Sequence, residues 1–546
     1  MKKILKWTGI IIGSILLLGI LLLAGLYWYY GGFGSEYPSG GKLSSLEAQY
    51  NVSFYDINLE IDPQSKSIAG YTEIKITTCS DLDTIEFDLI DNYSISKIMV
   101  NSIHTKYLHE NHKLFIFPES KLPLNQIVDV SIHYSGEPPE AKRPPWQGGF
   151  NWSKDENGNP WVGVSCQGEG AKIWFPCKDH PSDEPDSAAI NITVADTLFV
   201  AANGLLKNVT IPKNNYKTYH WFTGYPINNY LINFGIGKYE PVEKIYIAEN
   251  GTHTPAVFYV LPQMRDGAEA LLDQALDMLY VYRKYFGEYP WIKEKFGLLN
   301  TDYYGMEHQT LIAYGNKYKN FKLGEHQFDK LLLHEMGHEW WGNKVTAGNW
   351  SDFWIHEGIC TYGEALYALD KYGEQAYHDY ISYFRKRIFN FSPIAFNGDP
   401  TTDDAYNNDL YTKGACFIHT LRYVLGDSIF FKTLKQFATD SVYTFQNTVV
   451  TQDLINLVNR NAGNDYTKLF QLYLYTNDYP IVQIDSITAN QFNISIPNID
   501  FELPMDVSYA DTTQRLLLGK NPISLQTPFR PQVDRQNWYL KEPDED

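Results

Sequence analysis

Two histidines and a glutamate in one helical stretch are the first residues whose types and spacing could do chemistry. His334 and His338 are four positions apart, and Glu335 directly follows the first of them. Residues four apart share one face of a helix, so both imidazoles can bind a single metal ion. Glu335 would project beside them and act on a metal-bound water without being a ligand. A surface helix with two solvated histidines would show the same short pattern.

A carboxylate in the next helical run can complete such a metal site. Glu357 begins that run, within the segment WIHEG. Two imidazoles and one carboxylate suit zinc and leave its fourth position open for water. Glu364 follows one heptad later on the same helical face, where it can accept a hydrogen bond from a zinc-bound imidazole. An ordinary solvated glutamate at that position is the alternative.

The segments around these residues resemble the zinc signature of the gluzincin aminopeptidases, the family of aminopeptidase N and leukotriene hydrolase. The signature is carried by HEMGHEWWGNKVT, which begins at His334, and by WSDFWIHEG. Three further segments match in the expected order: CQGE with FPCKD, the exopeptidase motif GMEH followed by LIAY, and YTKGA. The resemblance covers about residues 50–540, and spaced motifs in this order make a chance match negligible.

The resemblance implies a role for each residue of the predicted metal site. His334, His338 and Glu357 would bind one zinc ion per chain, which agrees with their spacing. Glu335 would be the general base that accepts the proton of the zinc-bound water as this water attacks the peptide carbonyl. Tyr411 of YTKGA would donate a hydrogen bond to the oxyanion that develops on that carbonyl.

The same resemblance implies which residues hold the substrate. Glu307 would pair with the cationic α-amino group, so that the first peptide bond of the substrate faces the metal. Gln167 would supply a second contact to that amine through its amide oxygen, unless it is an ordinary surface glutamine. Gly305 and Met306 would line the extended main chain of the substrate. These residues predict an exopeptidase that acts on peptides with a free N-terminus.

The chain departs from the family pattern at several places. His308 stands where the exopeptidase motif has Asn, so the loop that carries Glu307 can be oriented differently. Gly337 replaces a small alkyl residue inside the helix, at a cost of about 1 kcal/mol relative to Ala. His356 replaces an Asn, and we do not expect it to bind metal because Glu357 fills that position. The large C-terminal helical domain of many family members is missing, so we expect wider access to the cleft or a wall from another chain.

The elements that must position these residues change from strands to helices and back along the chain. From Tyr50 to about Glu243, apolar and polar residues alternate in strand after strand. From about Gly267 the period becomes helical, and after Tyr479 short strands return. Together with the resemblance, this pattern predicts an α+β multidomain chain with a saddle-like all-β domain at 46–246, a thermolysin-like, mainly α catalytic domain at 247–477 and a small β-sandwich at 478–546.

The first thirty residues predict a transmembrane helix. Three lysines within residues 1–6 precede an apolar run over residues 7–30, which as a helix of about 36 Å would cross a hydrocarbon core of about 30 Å. The lysines would stay cytoplasmic and send the catalytic domains to the periplasmic or extracellular side. Residues 31–45 are rich in glycine and would form a flexible linker. A cleaved signal peptide is the alternative, although the apolar run is long for one.

Composition excludes several classes of protein. The chain has 546 residues, of which 44% are hydrophobic and 20% charged, so it can bury enough apolar surface to fold and is not a disordered protein. Its net charge of −19 would repel a polyanion, which argues against nucleic acid as a partner. Its 5 cysteines show no CxxC spacing, which argues against a disulfide framework and against a thiolate zinc site.

The sequence therefore predicts a membrane-anchored, outward-facing zinc aminopeptidase that removes N-terminal residues from peptides. A leukotriene-hydrolase-like epoxide hydrolase is a second enzymatic hypothesis. A catalytically idle surface module that binds peptides is a third, and it is disfavoured because a binder needs neither the base nor the tyrosine. The preferred first residue of the substrate is not predicted, since no motif exposes the pocket for its side chain.

Overall fold

The computed structural model describes residues 13–14, 16–22 and 34–541. The predicted tail at 1–6 and most of the predicted anchor at 7–30 lie outside the described residues. Among the residues that are described, no helix is long and apolar enough to cross a membrane. This finding contradicts the predicted single-pass anchor and the predicted outward placement of the catalytic domains, and neither is retained.

The first half of the described chain is built from strands. Its longest strand, Tyr50–Asp62, alternates buried and less buried side chains, as expected when one face of a sheet covers a core. A bulge between Val52 and Phe54 shifts this alternation by one residue, so that Val52 and Tyr55 both face the core. The strands of this region are β1 (Tyr50–Asp62), β2 (Ser67–Thr78), β3 (Ile85–Asp88), β4 (Tyr93–Val100), β5 (Ile103–His104), β6 (Lys106–Glu110), β7 (Lys113–Phe117), β8 (Ile127–Gly136), β9 (Gly149–Lys154), β10 (Pro160–Ser165), β11 (Ser187–Ala195), β12 (Phe199–Ala202), β13 (Leu205–Thr210), β14 (Tyr216–Thr223) and β15 (Phe234–Gly237).

These strands form three sheets. The largest has the order β13-β14-β11-β1-β2-β8-β4-β5, with β1 and β11 parallel in an otherwise antiparallel sheet. A four-stranded sheet has the order β12-β15-β10-β9, and a three-stranded sheet has the order β3-β7-β6. The connection from β10 to β11 leaves the four-stranded sheet at Ser165 and carries Gln167 into contact with Glu307 of the helical region.

The region predicted to be catalytic combines a mixed sheet with a group of helices. The sheet has the order β16-β17-β18-β20-β19 and places the exopeptidase segment at its edge, in β19. Its strands are β16 (Glu240–Ile247), β17 (His253–Val260), β18 (Phe296–Asn300), β19 (Gly305–Met306) and β20 (Ile312–Tyr314), and a hairpin follows with β21 (Phe321–Leu323) and β22 (His326–Phe328). The helices are α1 (Ala268–Phe286), α2 (Lys330–Gly337), α3 (Trp354–Tyr372), α4 (Glu374–Arg385), α5 (Thr402–Ala405), α6 (Asp409–Leu425), α7 (Asp427–Thr439), α8 (Thr451–Ala462) and α9 (Thr467–Leu474).

Strands return after the last of these helices. They form two three-stranded sheets of order β23-β24-β27 and β26-β25-β28. Beyond them, Trp538 packs back on α6, where its ring stacks on His419 at 4.4 Å and its carbonyl accepts from Thr420 at 2.7 Å. The strands are β23 (Gln483–Thr488), β24 (Gln491–Ser495), β25 (Leu503–Tyr509), β26 (Thr512–Leu518), β27 (Ile523–Gln526) and β28 (Gln532–Val533).

Candidate active site

Helix α2 presents the two histidines of the predicted metal site. It begins after Asp329, whose carboxylate accepts a hydrogen bond of 3.0 Å from the backbone N–H of Leu332 and so caps the helix. It ends at Gly337, which places His334 in the last turn and His338 at the C-cap. The centroids of the two imidazole rings are 4.8 Å apart. The helix thus brings both rings to one point at its C-terminal end.

Glu357, in the first turn of α3, completes a triangle of donor atoms. Nε2 of His334 lies 3.2 Å from Nε2 of His338. Oε2 of Glu357 lies 3.4 Å from each of these two nitrogens. All three side chains are largely buried, so the triangle is formed at the bottom of a cleft and not on an open surface.

The second nitrogen of each imidazole is held by the protein. Nδ1 of His334 donates to Oε1 of Glu364 at 2.8 Å, and the Tyr380 hydroxyl donates to the other oxygen of that carboxylate. Nδ1 of His338 donates to the carbonyl oxygen of Trp341 at 2.8 Å. Because a carbonyl oxygen only accepts, Nδ1 carries the proton and Nε2 keeps its lone pair for a ligand at the triangle.

The three donor atoms fit a zinc ion. Buried Oε2 of Glu357 has no hydrogen-bond partner in the described part of the chain, and the two Nε2 lone pairs would repel each other without a cation between them. Ligand atoms about 2.0–2.1 Å from a tetrahedral zinc are separated from one another by about 3.3–3.4 Å. The observed separations of 3.2 and 3.4 Å match that edge length.

Glu335 lies beside the triangle. It is buried, and burial raises its pKa to about 8. Gly305 in β19 packs directly against it, since a Cβ at this position would lie 2.5 Å from Oε1 of Glu335. A larger residue at this position would therefore displace the Glu335 carboxylate or the side chain of Leu331. Met306 follows in the same strand and also lines the cleft.

Glu307 is positioned by three side chains from different parts of the chain. Its Oε1 accepts from the amide of Gln167 at 2.5 Å and from the hydroxyl of Tyr230 at 3.3 Å. Its carbonyl oxygen accepts from the amide of Asn343 at 2.9 Å. Ligand atoms of Glu307, Glu335 and His338 lie within 4.8 Å of one another. The structure thus places a fixed carboxylate beside the donor triangle, next to His338.

Tyr411, in the first turn of α6, faces the triangle from the opposite helix. Its ring centroid is 5.7 Å from that of His334, and its hydroxyl oxygen is 2.9 Å from that of Tyr406. Burial raises the pKa of Tyr411 well above its usual range, and the nearby Glu357 carboxylate adds to this shift. The phenol therefore keeps its proton near neutral pH and can act as a hydrogen-bond donor.

Both histidines that depart from the family pattern are engaged elsewhere. Nδ1 of His308 accepts from the amide of Asn233 at 2.8 Å, and burial lowers the pKa of His308 to about 3. Nε2 of His356 accepts from the backbone N–H of Ala347 at 2.8 Å, and burial lowers the pKa of His356 to about 3. Both rings are thus neutral groups that tie the surrounding loops together.

A neighbouring cysteine explains the glycine at position 337 of helix α2. The thiol of Cys360 in α3 donates to the carbonyl oxygen of His334 at 2.8 Å. A Cβ at Gly337 would lie 2.6 Å from this sulfur, well inside van der Waals contact. The space that an alkyl side chain would need at this position is thus filled by Cys360.

All the predicted site residues line one cleft of about 700 Å³. We term residues 34–43 the N-terminal strap, and its first two residues, Gly34 and Ser35, form part of the rim of this cleft. The backbone N–H of Ser35 donates to both carboxylate oxygens of Asp403, at 2.9 and 2.8 Å, and its hydroxyl donates to Glu169 at 3.0 Å. Further along the strap, Ser39 N–H donates to the carbonyl of Gly168 at 2.9 Å. The sequence predicted either wider access to the cleft or a wall supplied by another chain. The strap shows that part of the rim comes from this chain itself.

Several residues of the site were missed by the sequence analysis. Tyr230 and the strap residue Ser35 lie outside every recognised motif, and no local signal points to them. Asn343 lies within the quoted segment HEMGHEWWGNKVT, and Tyr406 lies five positions before Tyr411. The position of Asn343 inside a matched motif and the closeness of Tyr406 to Tyr411 in sequence were the signals that could have identified these two residues.

Family models match most of the described chain. The model for the peptidase family M1 domain matches residues 271–473, and the model for the peptidase M1 N-terminal domain matches residues 51–231. The two matches cover the helical region that carries the donor triangle and the β-rich region that carries Gln167.

Among curated proteins, the chain is similar to several aminopeptidases. It is 22% identical over 504 residues to probable aminopeptidase 1 of Sulfurisphaera tokodaii, a match that spans 87% of this chain and 60% of that protein. It is 24% identical over 483 residues to aminopeptidase N of Lactococcus lactis, with 79% of this chain and 52% of that protein covered. The chain thus spans only between half and two thirds of the length of these relatives.

The fold is also found in solved structures. The crystal structure of the M1 zinc metallopeptidase from Deinococcus radiodurans matches with a TM-score of 0.67 at 21% sequence identity, over 79% of this chain and 95% of that one. A mutant of the Deinococcus protein bound to a Tyr-Ser-Ala substrate matches with a TM-score of 0.66. On the family models, the relatives and this fold, the chain belongs to the M1 peptidase family.

Proposed function

We propose that the protein is a zinc aminopeptidase that removes the first residue from peptides. The observation that carries this proposal is the carboxylate of Glu307, which lies beside the donor triangle with its ligand atoms within 4.8 Å of those of Glu335 and His338. Because Glu307 lies so close to the proposed metal position, it can bind only a substrate group that is close to the bond being cleaved. The α-amino group of the first residue is such a group.

His334, His338 and Glu357 would hold the metal, with Glu364 and the carbonyl of Trp341 orienting the two imidazoles. Zinc in this position would polarise the scissile carbonyl and bring the pKa of a water towards neutrality. The donor triangle uses three positions of a tetrahedral site, so one position stays open for chemistry.

Glu335 would accept the proton of the attacking water and later return it to the leaving amine. Burial raises the pKa of this carboxyl to about 8, and a metal cation beside it would lower the pKa again, so that the group can both take and give a proton near neutral pH. Tyr411 would donate to the oxyanion, since its pKa is raised and its hydroxyl is held at 2.9 Å from that of Tyr406.

Glu307 and Gln167 would bind the substrate ammonium together. Gln167 donates its amide N–H to Glu307 at 2.5 Å, so its amide oxygen is left to accept from a cation. Gly305 and Met306 line the path of the substrate main chain beside Glu335. The first peptide bond would then lie between the amine site and the open metal position.

The test compares free and N-acetylated versions of the same chromogenic aminoacyl amides, with and without chelator. Wild type should cleave the free amides, lose this activity with chelator and cleave the acetylated amides poorly. Glu307→Gln keeps the side-chain shape but removes the charge, and it should lower kcat/KM on free amides about ten- to a hundredfold. Efficient cleavage of acetylated amides by the wild type would place the protein among endopeptidases, and an absence of chelator-sensitive cleavage would reject the proposal.

A further inference from the structure

Two cations line the catalytic cleft on the side that faces away from Glu307. Lys330, His334 and His338 follow one another at four-residue intervals on one face of α2, about 6 Å apart along the axis. Glu307 lies at the His338 end of this row. Lys330 lies at the other end, so the amine site and Lys330 flank the metal position from opposite sides.

Arg387 is the second cation, and an aromatic ring holds it near Lys330. The Arg387 guanidinium carbon lies 3.5 Å from the centroid of the Tyr383 ring, and its Nη1 donates to the Tyr383 carbonyl at 2.9 Å. The ammonium of Lys330 lies 5.2 Å from the centroid of the same ring. The three side chains form a cationic wall, and all of them line the cleft.

The charges of this wall are only partly balanced by the protein, since Lys330 forms one ion pair of 3.7 Å with Glu364 and no ion pair is found for Arg387 among the described residues. The carboxylate nearest to Lys330 is Glu364, at 3.7 Å, but its two oxygens already accept from His334 and Tyr380. Among the residues that the structure describes, no carboxylate lies within 4 Å of the Arg387 guanidinium.

Their surroundings make the two cations more attractive to an anion. Lys330 is the first residue of α2, where the positive end of the helix dipole disfavours a cation. Lys330 and Arg387 also repel each other across the ring of Tyr383. An anion between them would relieve both effects, and the side chain of Lys330 is about one third exposed, with 32% of its surface accessible.

We propose that Lys330 and Arg387 bind a carboxylate on the part of the substrate that follows the scissile bond. This inference rests on the proposed aminopeptidase function, because that function fixes the direction of the peptide in the cleft. One residue of extended chain covers about 3.3–3.6 Å, so one or two residues after the scissile bond reach Lys330, one helical turn from His334. The carboxylate is then either the C-terminus of a dipeptide or tripeptide or the side chain of an acidic residue in second position.

The first test compares trialanine with its C-terminal amide. Wild type should favour the free acid about ten- to a hundredfold in kcat/KM, with the difference in KM and not in kcat. Lys330→Met and Arg387→Met should each bring this ratio towards one. Lys330→Arg and Arg387→Lys keep the charge and should restore part of the preference. Lys386→Met removes an exposed cation next to Arg387 that does not line the cleft, and it should leave the ratio unchanged.

The second test separates the two sources of the carboxylate. C-terminally amidated hexapeptides with Glu or Gln in second position carry the charge only on the side chain. If wild type prefers the Glu peptide and the Lys330→Met variant loses this preference, the site binds an acidic side chain. If wild type prefers only the free acid of trialanine, the site binds the C-terminus. Equal cleavage of acid and amide, together with equal cleavage of the Glu and Gln peptides, would overturn the inference.

A binding measurement keeps this inference apart from the proposed function. Calorimetry on Glu335→Gln compares the Kd of trialanine with that of its amide without any turnover, and zinc content is measured in every variant. If the free acid binds more tightly than the amide, and adding Arg387→Met removes this difference, the carboxylate site is supported even if the peptides are not cleaved. Equal Kd values reject the carboxylate site even if the protein is an active aminopeptidase.

Discussion

Gly358 and Gly414 touch each other where helices α3 and α6 cross. A Cβ on Gly414 would lie 2.8 Å from the Cα of Gly358, and a Cβ on Gly358 would lie 2.9 Å from the Cα of Gly414. Gly358 directly follows Glu357, and Gly414 lies three residues after Tyr411. The distance between Glu357, the proposed third metal ligand, and Tyr411 is therefore set by contact between two backbones, which no change of side-chain rotamer can adjust.

Gly414→Ala should separate the two helices and lower kcat while zinc stays bound. In an open helix this change stabilises by about 1 kcal/mol, but here we expect a loss of about 1–3 kcal/mol, because the methyl group meets backbone atoms. Gly363→Ala in α3 is the matched control, since its Cβ would meet only side-chain atoms of Tyr282 and Phe286 at 3.2–3.3 Å. Denaturant unfolding and kcat are measured for both, and a stabilised, fully active Gly414→Ala would contradict the role of this crossing.

Gly337 and Cys360 should be coupled in a double-mutant cycle. Gly337→Ala alone should destabilise the protein, because its Cβ would lie 2.6 Å from the Cys360 sulfur. In a Cys360→Ala background that contact is gone, and the same change should become neutral or stabilising. We expect an interaction free energy of about 1 kcal/mol or more, measured by denaturant unfolding of the four proteins. Additive effects of the two changes would show that the sulfur does not select glycine here.

The three acidic residues of the metal site should differ in their effect on zinc content. Glu357→Gln should weaken zinc binding, because it removes a charged ligand. Glu335→Gln should leave zinc bound but nearly abolish turnover, because it removes the proposed base. Glu364→Gln should lower zinc affinity about ten- to a hundredfold through the loss of its bond to His334. Elemental analysis and kcat check all three, and loss of zinc from Glu335→Gln would rule out its assignment as a base that does not bind metal.

The burial of the Glu169 carboxyl beneath the N-terminal strap should become less favourable with rising pH. Burial raises the pKa of Glu169 from 4.5 to about 7, so folding takes up a proton between these values. The contribution of this carboxyl is thus fully present below about pH 4.5 and is lost as the pH rises through 7. The free energy of unfolding of wild type should fall relative to Glu169→Gln by about 1–3 kcal/mol between pH 5 and pH 8. Parallel pH profiles of the two proteins would show that Glu169 does not take up this proton.

The parts of the site that were predictable from sequence are those encoded by local spacing. One helical turn brings His334 and His338 together, and their separation follows from the sequence alone. The bond from Tyr230 to Glu307 spans 77 positions and that from Ser35 to Glu169 spans 134, and no periodicity encodes such contacts. For the same reason the cationic wall was missed, since Lys330 and Arg387 meet only through the fold.

Composition misled the sequence analysis at the start of the chain. The apolar run at 7–30 has the length of a membrane span, but in the described part of the chain no helix reaches that length with that character. The position of the strand-to-helix transition was predicted more accurately, because the spacing of apolar residues changes there from the period of a strand to that of a helix. Even there, residues 240–247 form β16, which pairs with β17 in the sheet that carries Met306 and not with the strands before it.

The N-terminal strap gives this protein a natural attachment point for a reporter of cleft occupancy. Gly34 and Ser35 line the cleft, and Ser35 is hydrogen-bonded to Asp403, which also lines it, and to Glu169. An environment-sensitive fluorophore attached at position 34 would sit at the cleft mouth and change its emission when a peptide enters. By the same geometry, a bulky affinity tag joined directly before residue 34 would compete with substrate for that mouth. Tags for kinetic work on this chain are therefore better placed at its C-terminal end.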